Sequence, residues 1–379
     1  MRSLRTPELP IAEIPPFGNI DLGIPVHRLF LLGFRPGDAV DVEFSNGFAF
    51  RNIPLFSGFY GTGHLPCLYA ADKFYPNAGI GCPVSGNPWT MAGVHTGDSA
   101  HIRLHRRRGY SILESRMRLP RMLAPDRTRS REQNANWRAV ATGKIPFGVL
   151  YRSSSPIRID SPAAATACEL MQETGIRSVL NLSDKPALCQ ARRKDGNAHI
   201  EPYVHLCENG CVLPLHLGVD YQMQENARTL ARGLLWLTEQ PKPALIHCKL
   251  GLDRTGMVCV LLEMLAGASY ADIEHDYRLS YLNLFGPPPD RTGSYPLCDL
   301  RLTELVDFLL SLAEADDGAP RADDGRRNAP GKPRQYPSSE TLRRAARAYL
   351  AFGGLNEGQI AQIGRMLAIV SRTSEGSLQ

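Results

Sequence analysis

One cysteine of the sequence has neighbours that could turn its thiol into a nucleophile. The segment ALIHCKLGLDRTGMV (244–258) places Cys248 between a short apolar run and an apolar stretch with helical character. A free thiol has a pKa of roughly 8.5, so a nucleophilic cysteine needs surroundings that stabilise its thiolate. The N–H groups of a loop that opens a helix stabilise a negative charge, and they also bind anions. The pattern therefore predicts a reactive thiol beside an anion site.

The residues after the cysteine suit a tetrahedral phosphate. Gly251 and Gly256 permit a tight loop and a close backbone approach. Arg254 offers a planar guanidinium that holds two oxygens, and Thr255 offers a hydroxyl that could stabilise the thiolate. We expect His247 to orient the loop from behind. A core thiol followed by a surface arginine is the plainer alternative, but the whole pattern arises by chance in roughly one chain of this size in ten thousand.

The segment HCKLGLDRTG resembles the signature loop of the cysteine-dependent protein tyrosine phosphatases. It is most similar to the bacterial branch that includes the secreted mycobacterial and listerial tyrosine and lipid phosphatases. The resemblance covers about residues 130–370 and implies an α/β domain with a central, mostly parallel sheet flanked by helices. Four further segments are similar to this branch: NANWRAVATGKIPFGVLYRSSSP (134–156), GIRSVLNLSD (175–184), ADIEHDYRLSYLN (271–283) and AYLAFGGLNEGQI (348–360).

The resemblance implies a mechanism that needs no metal and no cofactor. Cys248 would attack phosphorus, and water would then hydrolyse the phosphocysteine. The phosphate would be held by the loop residues Lys249, Leu250, Gly251, Leu252, Asp253 and Arg254, supported by Gly256.

Three aspartates are candidates for the general acid. Asp253 is preferred because relatives with Asp at this position are proposed to use it. Asp220 is second because it lies where the dual-specificity group carries its acid, and Asp184 is third. Each also has a plainer alternative, as a residue that braces a loop or caps a turn.

The loop also bears on the substrate. Relatives that accept phosphoinositides have lysines at the first and fourth positions after the cysteine, where this chain has Lys249 and Leu252. An apolar Leu252 suits an aromatic ring, so phosphotyrosine proteins are the leading substrates, ahead of other phosphate monoesters. Two alternatives stay open: a phosphoinositide or dual-specificity phosphatase, and a catalytically weak module that binds phosphorylated partners.

Hydrophobic periodicity predicts the elements that position this loop. GVLYRSS, IRSVLNLS and ALIHC read as strands, and they alternate with helical segments, as in a parallel α/β sheet. A helix closed by Gly175, the helix QENARTLARGLLWLTEQ and an apolar helix closed by Gly267 complete this pattern. Two C-terminal helices with caps at Ser339 and Asn356 would form a lid or a packing appendage.

The N-terminal part has a different character. Short β-type runs separated by turns predict a small β-barrel or sandwich, and GFRPGDAVDVEF and GVHTGDSAHIRL indicate an internal repeat of turn and strand. FGNIDLG and LGFRPGDAVDVEF resemble the C-terminal β-domain of the S-adenosylmethionine hydroxide adenosyltransferases, which implies a place near adenine for Phe17 and Asn19. Without that family's larger domain, we expect an accessory module. The predicted boundaries are 1–115 for this module, 116–135 for an arginine-rich linker, 136–312 for the catalytic domain, 313–338 for a flexible loop and 339–379 for the lid.

Composition excludes several classes of protein. A hydrophobic content of 43% and a charged content of 21% are those of a globular protein, and no run approaches the roughly 20 apolar residues of a membrane span. An N-terminus without an apolar core predicts no secretion signal and a cytoplasmic protein. The nine cysteines show no repeated spacing, and His205, Cys207, Cys211 and His216 fit no common zinc pattern. The arginine-rich stretch 103–152 favours a solvated linker or a cationic collar rather than a nucleic-acid site. No sequence pattern predicts an oligomeric state.

Overall fold

The computed structural model describes residues 4–15, 18–57, 66–70, 76–82, 87–117, 123, 127–158, 162–186, 200–288, 295–316 and 336–368. Contacts divide the chain into two units. The first comprises Met1–Pro120 with Tyr295–Arg301, and the second comprises Arg121–Ser294 with Leu302–Gln379. Within the described residues, no helix is both long enough and apolar enough to cross a membrane.

The first unit contains an eight-stranded sheet. In spatial order its strands are β1, β8, β4, β5, β6, β7, β3 and β2. Both outer strands come from one short stretch of chain, because only Ile11 separates β1 from β2. The strands are β1 (Leu9–Pro10), β2 (Ala12–Ile14), β3 (Asn19–Pro25), β4 (Ala39–Phe44), β5 (Ala49–Phe56), β6 (Cys67–Tyr69), β7 (Asn77–Gly81) and β8 (Ser99–Arg106). The prediction of an N-terminal β-domain is confirmed.

The predicted repeat is present as two units of helix, turn and strand. Helix α1 (Val26–Leu31) precedes β4, and helix α2 (Pro88–Ala92) precedes β8. In the first turn the Asp38 carboxylate accepts a hydrogen bond from Arg35 N at 2.9 Å, and in the second Asp98 accepts one from His95 N at 2.8 Å. The two strands that follow pair with each other in antiparallel orientation. Helix α3 (Ser111–Met117) follows β8.

The second unit is an α/β structure around a five-stranded sheet. Its strands are β9 (Arg138–Ala139), β10 (Leu150–Ser153), β11 (Ser178–Asn181), β12 (Val212–Pro214) and β13 (Ala244–His247). The spatial order is β12, β11, β13, β10 and β9, and only β9 is antiparallel to its neighbour. The register aligns Ser153, His247 and Asn181, so three strands end together at one edge of the sheet. The predicted mostly parallel sheet is confirmed.

The helices of this unit are α4 (Arg131–Ala135), α5 (Pro162–Glu173), α6 (Glu201–Glu208), α7 (Gln224–Glu239), α8 (Asp253–Leu265), α9 (Tyr270–Phe285), most of α10 (Pro296–Asp316), α11 (Ser339–Phe352) and α12 (Glu357–Leu367). The first residues of α10, up to Arg301, belong to the first unit. Asn356 caps α12 as predicted, through a capping box with Gln359. The cap of α11 is Ser338 rather than Ser339, because the Ser338 hydroxyl accepts the hydrogen bond of Thr341 N at 3.1 Å.

Carboxylates pair with several cations of the arginine-rich stretch. In the first unit Arg103 pairs with Asp41, and Arg107 pairs with Asp38, each at 2.7 Å. In the second unit Arg131 pairs with Glu169 and Glu173, while Arg138 and Arg152 both pair with Asp276. The pairs of Arg138 and Arg152 are mostly buried, whereas the side chains of Arg103, Arg107 and Arg131 stay 40–48% exposed.

Candidate active site

Cys248 lies where the central strand of the second sheet ends. β13 stops at His247, and α8 begins at Asp253, so the intervening loop runs directly from a buried strand into a buried helix. Cys248 is buried with a relative exposure of 3%. Parallel strands direct their carboxyl ends towards one edge of the sheet, which brings the ends of β10 and β11 next to this loop. The predicted strand-to-helix turn around the cysteine is present.

Two glycines of the motif are required by close contacts. Gly251 has φ of +68°, and a Cβ added there would lie 2.4 Å from the carbonyl oxygen of Ser153. At Gly256 an added Cβ would lie 2.8 Å from Cε2 of Tyr277, where α8 meets α9. The first glycine lets the loop pass over the end of β10, and the second lets the two helices approach closely.

The loop holds several hydrogen-bond donors that have no acceptor within the described part of the chain. These donors are the backbone N–H groups of Leu250, Gly251, Leu252 and Arg254. The side chains add Thr255 Oγ1 and Arg254 Nε, both buried and also without a partner among the described residues. Helix α8 has no side-chain cap at Leu252. Buried donors without partners cost free energy, so an anion bound in this loop would remove that cost.

Arg254 connects the loop to the segment that follows β12. Its Nη1 donates to the carbonyl oxygen of Leu217 at 3.3 Å, which leaves the rest of a half-buried guanidinium for a ligand. The segment continues to Asp220, whose Oδ1 accepts from Gln222 N at 2.9 Å. Asn226 holds the same turn, since its Nδ2 donates to the carbonyl oxygen of Asp220 at 2.7 Å. Asp220 therefore sits in a fixed turn three residues beyond a direct contact of Arg254.

The three candidate acids occupy different environments. Asp253 is exposed at the first residue of α8. Burial raises the pKa of the half-buried Asp220 carboxyl, although hydrogen bonds from the backbone of Gln222 and Met223 oppose that effect. Asp184 accepts a hydrogen bond from Asn181 Nδ2 at 3.0 Å beyond the end of β11. The environment of Asp220 thus favours a protonated carboxyl.

His247 is fully buried directly before the nucleophile. Its Nε2 lies 3.1 Å from the Tyr203 hydroxyl, which itself accepts from Asn181 Nδ2 at 2.9 Å. Burial lowers the pKa of His247 to about 4, and the nearby Arg254 acts in the same direction while Asp184 opposes it. The imidazole is therefore neutral near pH 7. It joins β13 to α6 and the end of β11 behind the loop.

The remaining predicted residues differ in burial, and some of them belong to the first unit. Leu252 is buried, Leu250 is half-buried and Lys249 is exposed. Phe17 lies outside the described residues, and Asn19 begins β3 of the first unit. No three His, Cys, Asp or Glu side chains of the described ranges form a group that could hold a metal ion, and this covers the segment from His205 to His216.

A polar network behind the loop was not predicted from the sequence. It consists of Asn136, Arg138, Arg152, Asp276, Ser280 and Asn283, which are linked by hydrogen bonds. Its sequence signal was an arginine within the predicted strand LYRS, because a buried guanidinium requires a buried partner. That partner is Asp276, 124 positions away in the chain.

Comparison with known proteins agrees with this geometry. Residues 135–290 match the family model described as the tyrosine phosphatase family. The matched range includes Cys248 and Arg254, so this part of the chain is similar to that family. A tyrosine-protein phosphatase from Nostoc commune is 32% identical over 126 residues, which cover 33% of this chain and 36% of that protein. The chain thus spans about a third of the length of this relative.

A solved structure is also similar to part of this chain. It is the core catalytic domain of the PP-IP phosphatase Siw14 from S. cerevisiae in complex with citrate. It is 19% identical and covers 52% of this chain and 97% of its own, with a TM-score of 0.28. At that TM-score the likeness adds nothing about fold or chemistry.

Proposed function

We propose that this protein hydrolyses phosphate monoesters, foremost protein phosphotyrosine, through a phosphocysteine intermediate on Cys248. One observation carries the proposal: a buried thiol begins a loop in which the N–H groups of Leu250, Gly251 and Leu252, together with Arg254 Nε, have no acceptor among the described residues. Such a loop suits a bound oxyanion, and the thiol is the nucleophile in reach of it. A module that only binds phosphate would have no need of the cysteine.

The reaction proceeds in two displacements. The Cys248 thiolate attacks phosphorus, the ester P–O bond breaks, and the leaving oxygen takes a proton from an aspartic acid. Water then attacks the phosphocysteine, the carboxylate accepts the proton of that water, and the S–P bond breaks to return the thiolate. The loop amides and Arg254 stabilise the charge on the equatorial oxygens in both steps, while Thr255 stabilises the thiolate.

Apolar side chains around the loop support an aromatic substrate. Leu252 lies within the loop itself, and Val219 and Met223 flank Asp220 with exposures of 47% and 51%. Exposed apolar side chains on the segment that Arg254 contacts favour ligands with an apolar body and a charged end, such as phosphotyrosine. Leu252 in place of a second lysine makes a phosphoinositide the weaker of the two candidate substrates.

The proton donor has two candidates in this proposal. Asp253 is supported by the resemblance to relatives with Asp before the arginine. Asp220 is supported by its burial, which raises the pKa of the carboxyl and keeps a larger fraction of it protonated at a given pH.

The first experiment measures phosphate release by the wild type and by Cys248→Ser, without added metal. Substrates are matched peptides carrying phosphotyrosine, phosphoserine or phosphothreonine, and short-chain phosphoinositides. We expect release from phosphotyrosine peptides to exceed the others and to disappear in the serine variant. Retained release in Cys248→Ser would exclude the phosphocysteine route. A wild type that binds the peptides without releasing phosphate would be a binding module.

The second experiment identifies the proton donor through the leaving group. Asp253→Asn and Asp220→Asn are compared on p-nitrophenyl phosphate and phenyl phosphate, since p-nitrophenolate departs without a proton more readily than phenolate. Loss of the acid lowers the rate on phenyl phosphate by roughly 10²-fold or more, and much less on p-nitrophenyl phosphate. A variant that slows both substrates equally lacks a binding contact, and its aspartate is not the donor.

A further inference from the structure

Three consecutive carbonyl groups of the phosphate loop are held from one side. The Lys249 carbonyl accepts from Ser155 N at 3.4 Å. The Leu250 carbonyl accepts from Asn136 Nδ2 at 3.1 Å. The Gly251 carbonyl accepts from Arg152 Nη2 at 2.9 Å and from Asn136 Nδ2 at 3.2 Å. The loop is thus fastened along its outer side by groups from β10, from the turn after it and from the turn after α4.

These contacts determine the direction of the loop amides. In a trans peptide the C=O and the N–H of the same unit point in opposite directions. Carbonyls held on the outer side therefore turn the N–H groups of Leu250, Gly251 and Leu252 to the inner side. Those are the N–H groups that lack an acceptor within the described residues. The anion site therefore depends on its outer contacts as much as on its own sequence.

Arg152 is the centre of the outer contacts. Its side chain is fully buried, and its Nη1 donates to Asp276 Oδ2 at 2.5 Å while Nη2 donates to Ser280 Oγ at 3.1 Å. Burial alone would raise the pKa of Asp276, but the guanidiniums of Arg152 and Arg138 hold it below its ordinary value. The carboxylate is therefore charged and fixes the guanidinium against the Gly251 carbonyl, which compensates in part for burying the cation.

Asn136 is fixed by the same network. Its backbone has φ of +50°, and its side chain is fully buried. Its Oδ1 accepts from Arg138 Nη1 at 3.0 Å and from Asn283 Nδ2 at 3.2 Å. With its oxygen occupied by two donors, the amide can direct only its nitrogen towards the loop. The network therefore sets the orientation of the Asn136 amide.

We propose that Arg152 and Asn136 are positioning residues of the anion site: by holding the Leu250 and Gly251 carbonyls, they aim the loop amides at the phosphate. This inference rests on the proposed function for its ligand class, a tetrahedral oxyanion. Neither residue touches the substrate, and both act through the loop. Asp276 and Ser280 hold Arg152, and Arg138 and Asn283 hold Asn136.

The test measures binding of inorganic tungstate by titration calorimetry to the full chain carrying Arg152→Lys or Asn136→Gly. Lysine keeps the charge but cannot contact Asp276 and Gly251 together, and glycine keeps the positive φ while removing the amide. Arg107→Lys is a matched control, because Arg107 Nη1 also bridges a carboxylate, Asp38, and a glycine carbonyl, Gly33, both at 2.7 Å. Asn52→Gly is the control for Asn136→Gly, since Asn52 has φ of +53°.

We expect tungstate affinity to fall about tenfold in Arg152→Lys and in Asn136→Gly, the effect of misdirecting roughly one charge-assisted hydrogen bond. The value of kcat/KM for p-nitrophenyl phosphate falls at least as much, while both controls stay within twofold of the wild type. Thermal unfolding identifies the folded fraction of each variant. Unchanged tungstate affinity in folded Arg152→Lys and Asn136→Gly, with only a lower melting temperature, would overturn the inference.

The same experiment separates this inference from the proposed function. A wild type that binds tungstate but releases no phosphate removes the proposed reaction, and the positioning role is then decided by the affinities of the variants. A wild type that hydrolyses phosphate esters while all variants bind tungstate equally removes the positioning role alone. A wild type that neither binds nor hydrolyses overturns both.

Discussion

His247 makes the free energy of unfolding depend on pH. Its side chain is fully buried, and its pKa is lowered from 6.5 to about 4, mainly by burial. Between these values the unfolded chain binds a proton at this position and the folded chain does not, so folding stability falls as the pH falls. The stability from a neutral His247 is fully present above pH 6.5. It is lost progressively down to about pH 4.

We expect His247→Gln to reduce that dependence. Between pH 7 and pH 5 the wild type loses about 2 kcal/mol of unfolding free energy through this group, and the variant does not. Urea unfolding at the two pH values measures the difference. His27→Gln, at an exposed position, is the control. Equal losses in the wild type and in His247→Gln would show that a charged imidazole is tolerated behind the loop.

Glu263 should depend on pH in the opposite sense. It is fully buried in α8, and neither carboxyl oxygen has a partner among the described residues. Burial raises the pKa of Glu263 well above its ordinary value, the charge of Asp276 adds to this, and Arg152 opposes it. Above the ordinary pKa of a glutamate, the unfolded chain releases a proton that the folded chain retains, so this residue lowers stability as the pH rises.

Glu263→Gln should therefore stabilise the protein more at pH 8 than at pH 5, because glutamine cannot release a proton in the unfolded state. Melting temperatures at the two pH values measure this gain. Glu169→Gln, which changes an exposed carboxylate in the same unit, is the control. A glutamine variant that is less stable than the wild type at pH 8 would indicate that Glu263 is ionised and paired with Arg152.

The loop between β13 and α8 allows a test of the close contact at Gly251. Gly251→Ala has to accept both φ of +68° and a contact of 2.4 Å with the Ser153 carbonyl. Gly175→Ala is a matched control, because it has φ of +67° and nothing within 4 Å of an added Cβ. The control costs about 1–2 kcal/mol for the left-handed backbone alone. Gly251→Ala costs more, and it displaces the loop.

We expect kcat/KM of Gly251→Ala to fall roughly 10²-fold, since a 1 Å misplacement of a catalytic group has that effect. Gly175→Ala, which lies at the end of α5, should retain the wild-type value. Steady-state kinetics and urea unfolding of both variants give the two quantities. Equal costs in stability and in activity for the two glycines would show that the loop relaxes around a methyl group without loss.

Among the secondary-structure elements, the sequence predicted those strands, turns and helices that depend on interactions between neighbouring residues. The apolar run ALIH and the following glycines were enough to predict a strand, a turn and a helix around Cys248. The repeated Asp38 and Asp98 turns were likewise visible in the sequence. The pairing of Arg152 with Asp276 was not, because many arginines and acids of the chain could pair and only the packed fold selects one partner. The cap at Ser338 rather than Ser339 was also beyond prediction, because two adjacent serines are equally good caps and only the folded backbone selects one.

For the molecule as a whole, binding of an anion at the site is coupled to the free energy of unfolding of the second unit. A ligand that binds only the folded state adds RT ln(1 + [L]/Kd) to stability, which is about 2.7 kcal/mol at one hundred times Kd. In this protein that stabilisation would come from donors that are buried without an acceptor among the described residues. Without a ligand, these buried donors of the loop therefore form no hydrogen bond with the described residues, which costs free energy.

Tungstate at one hundred times its Kd should accordingly slow hydrogen exchange throughout the core of the second unit. The effect should be largest in peptide 244–258, because the amides of Leu250, Gly251 and Leu252 gain acceptors there in addition to the global stabilisation. Arg254→Ala is the control for effects of the salt, since it removes the guanidinium and keeps the rest of the loop. Exchange slowed in peptide 244–258 alone would mean that binding orders the loop without stabilising the unit. Equal slowing in the wild type and in Arg254→Ala would place the tungstate elsewhere.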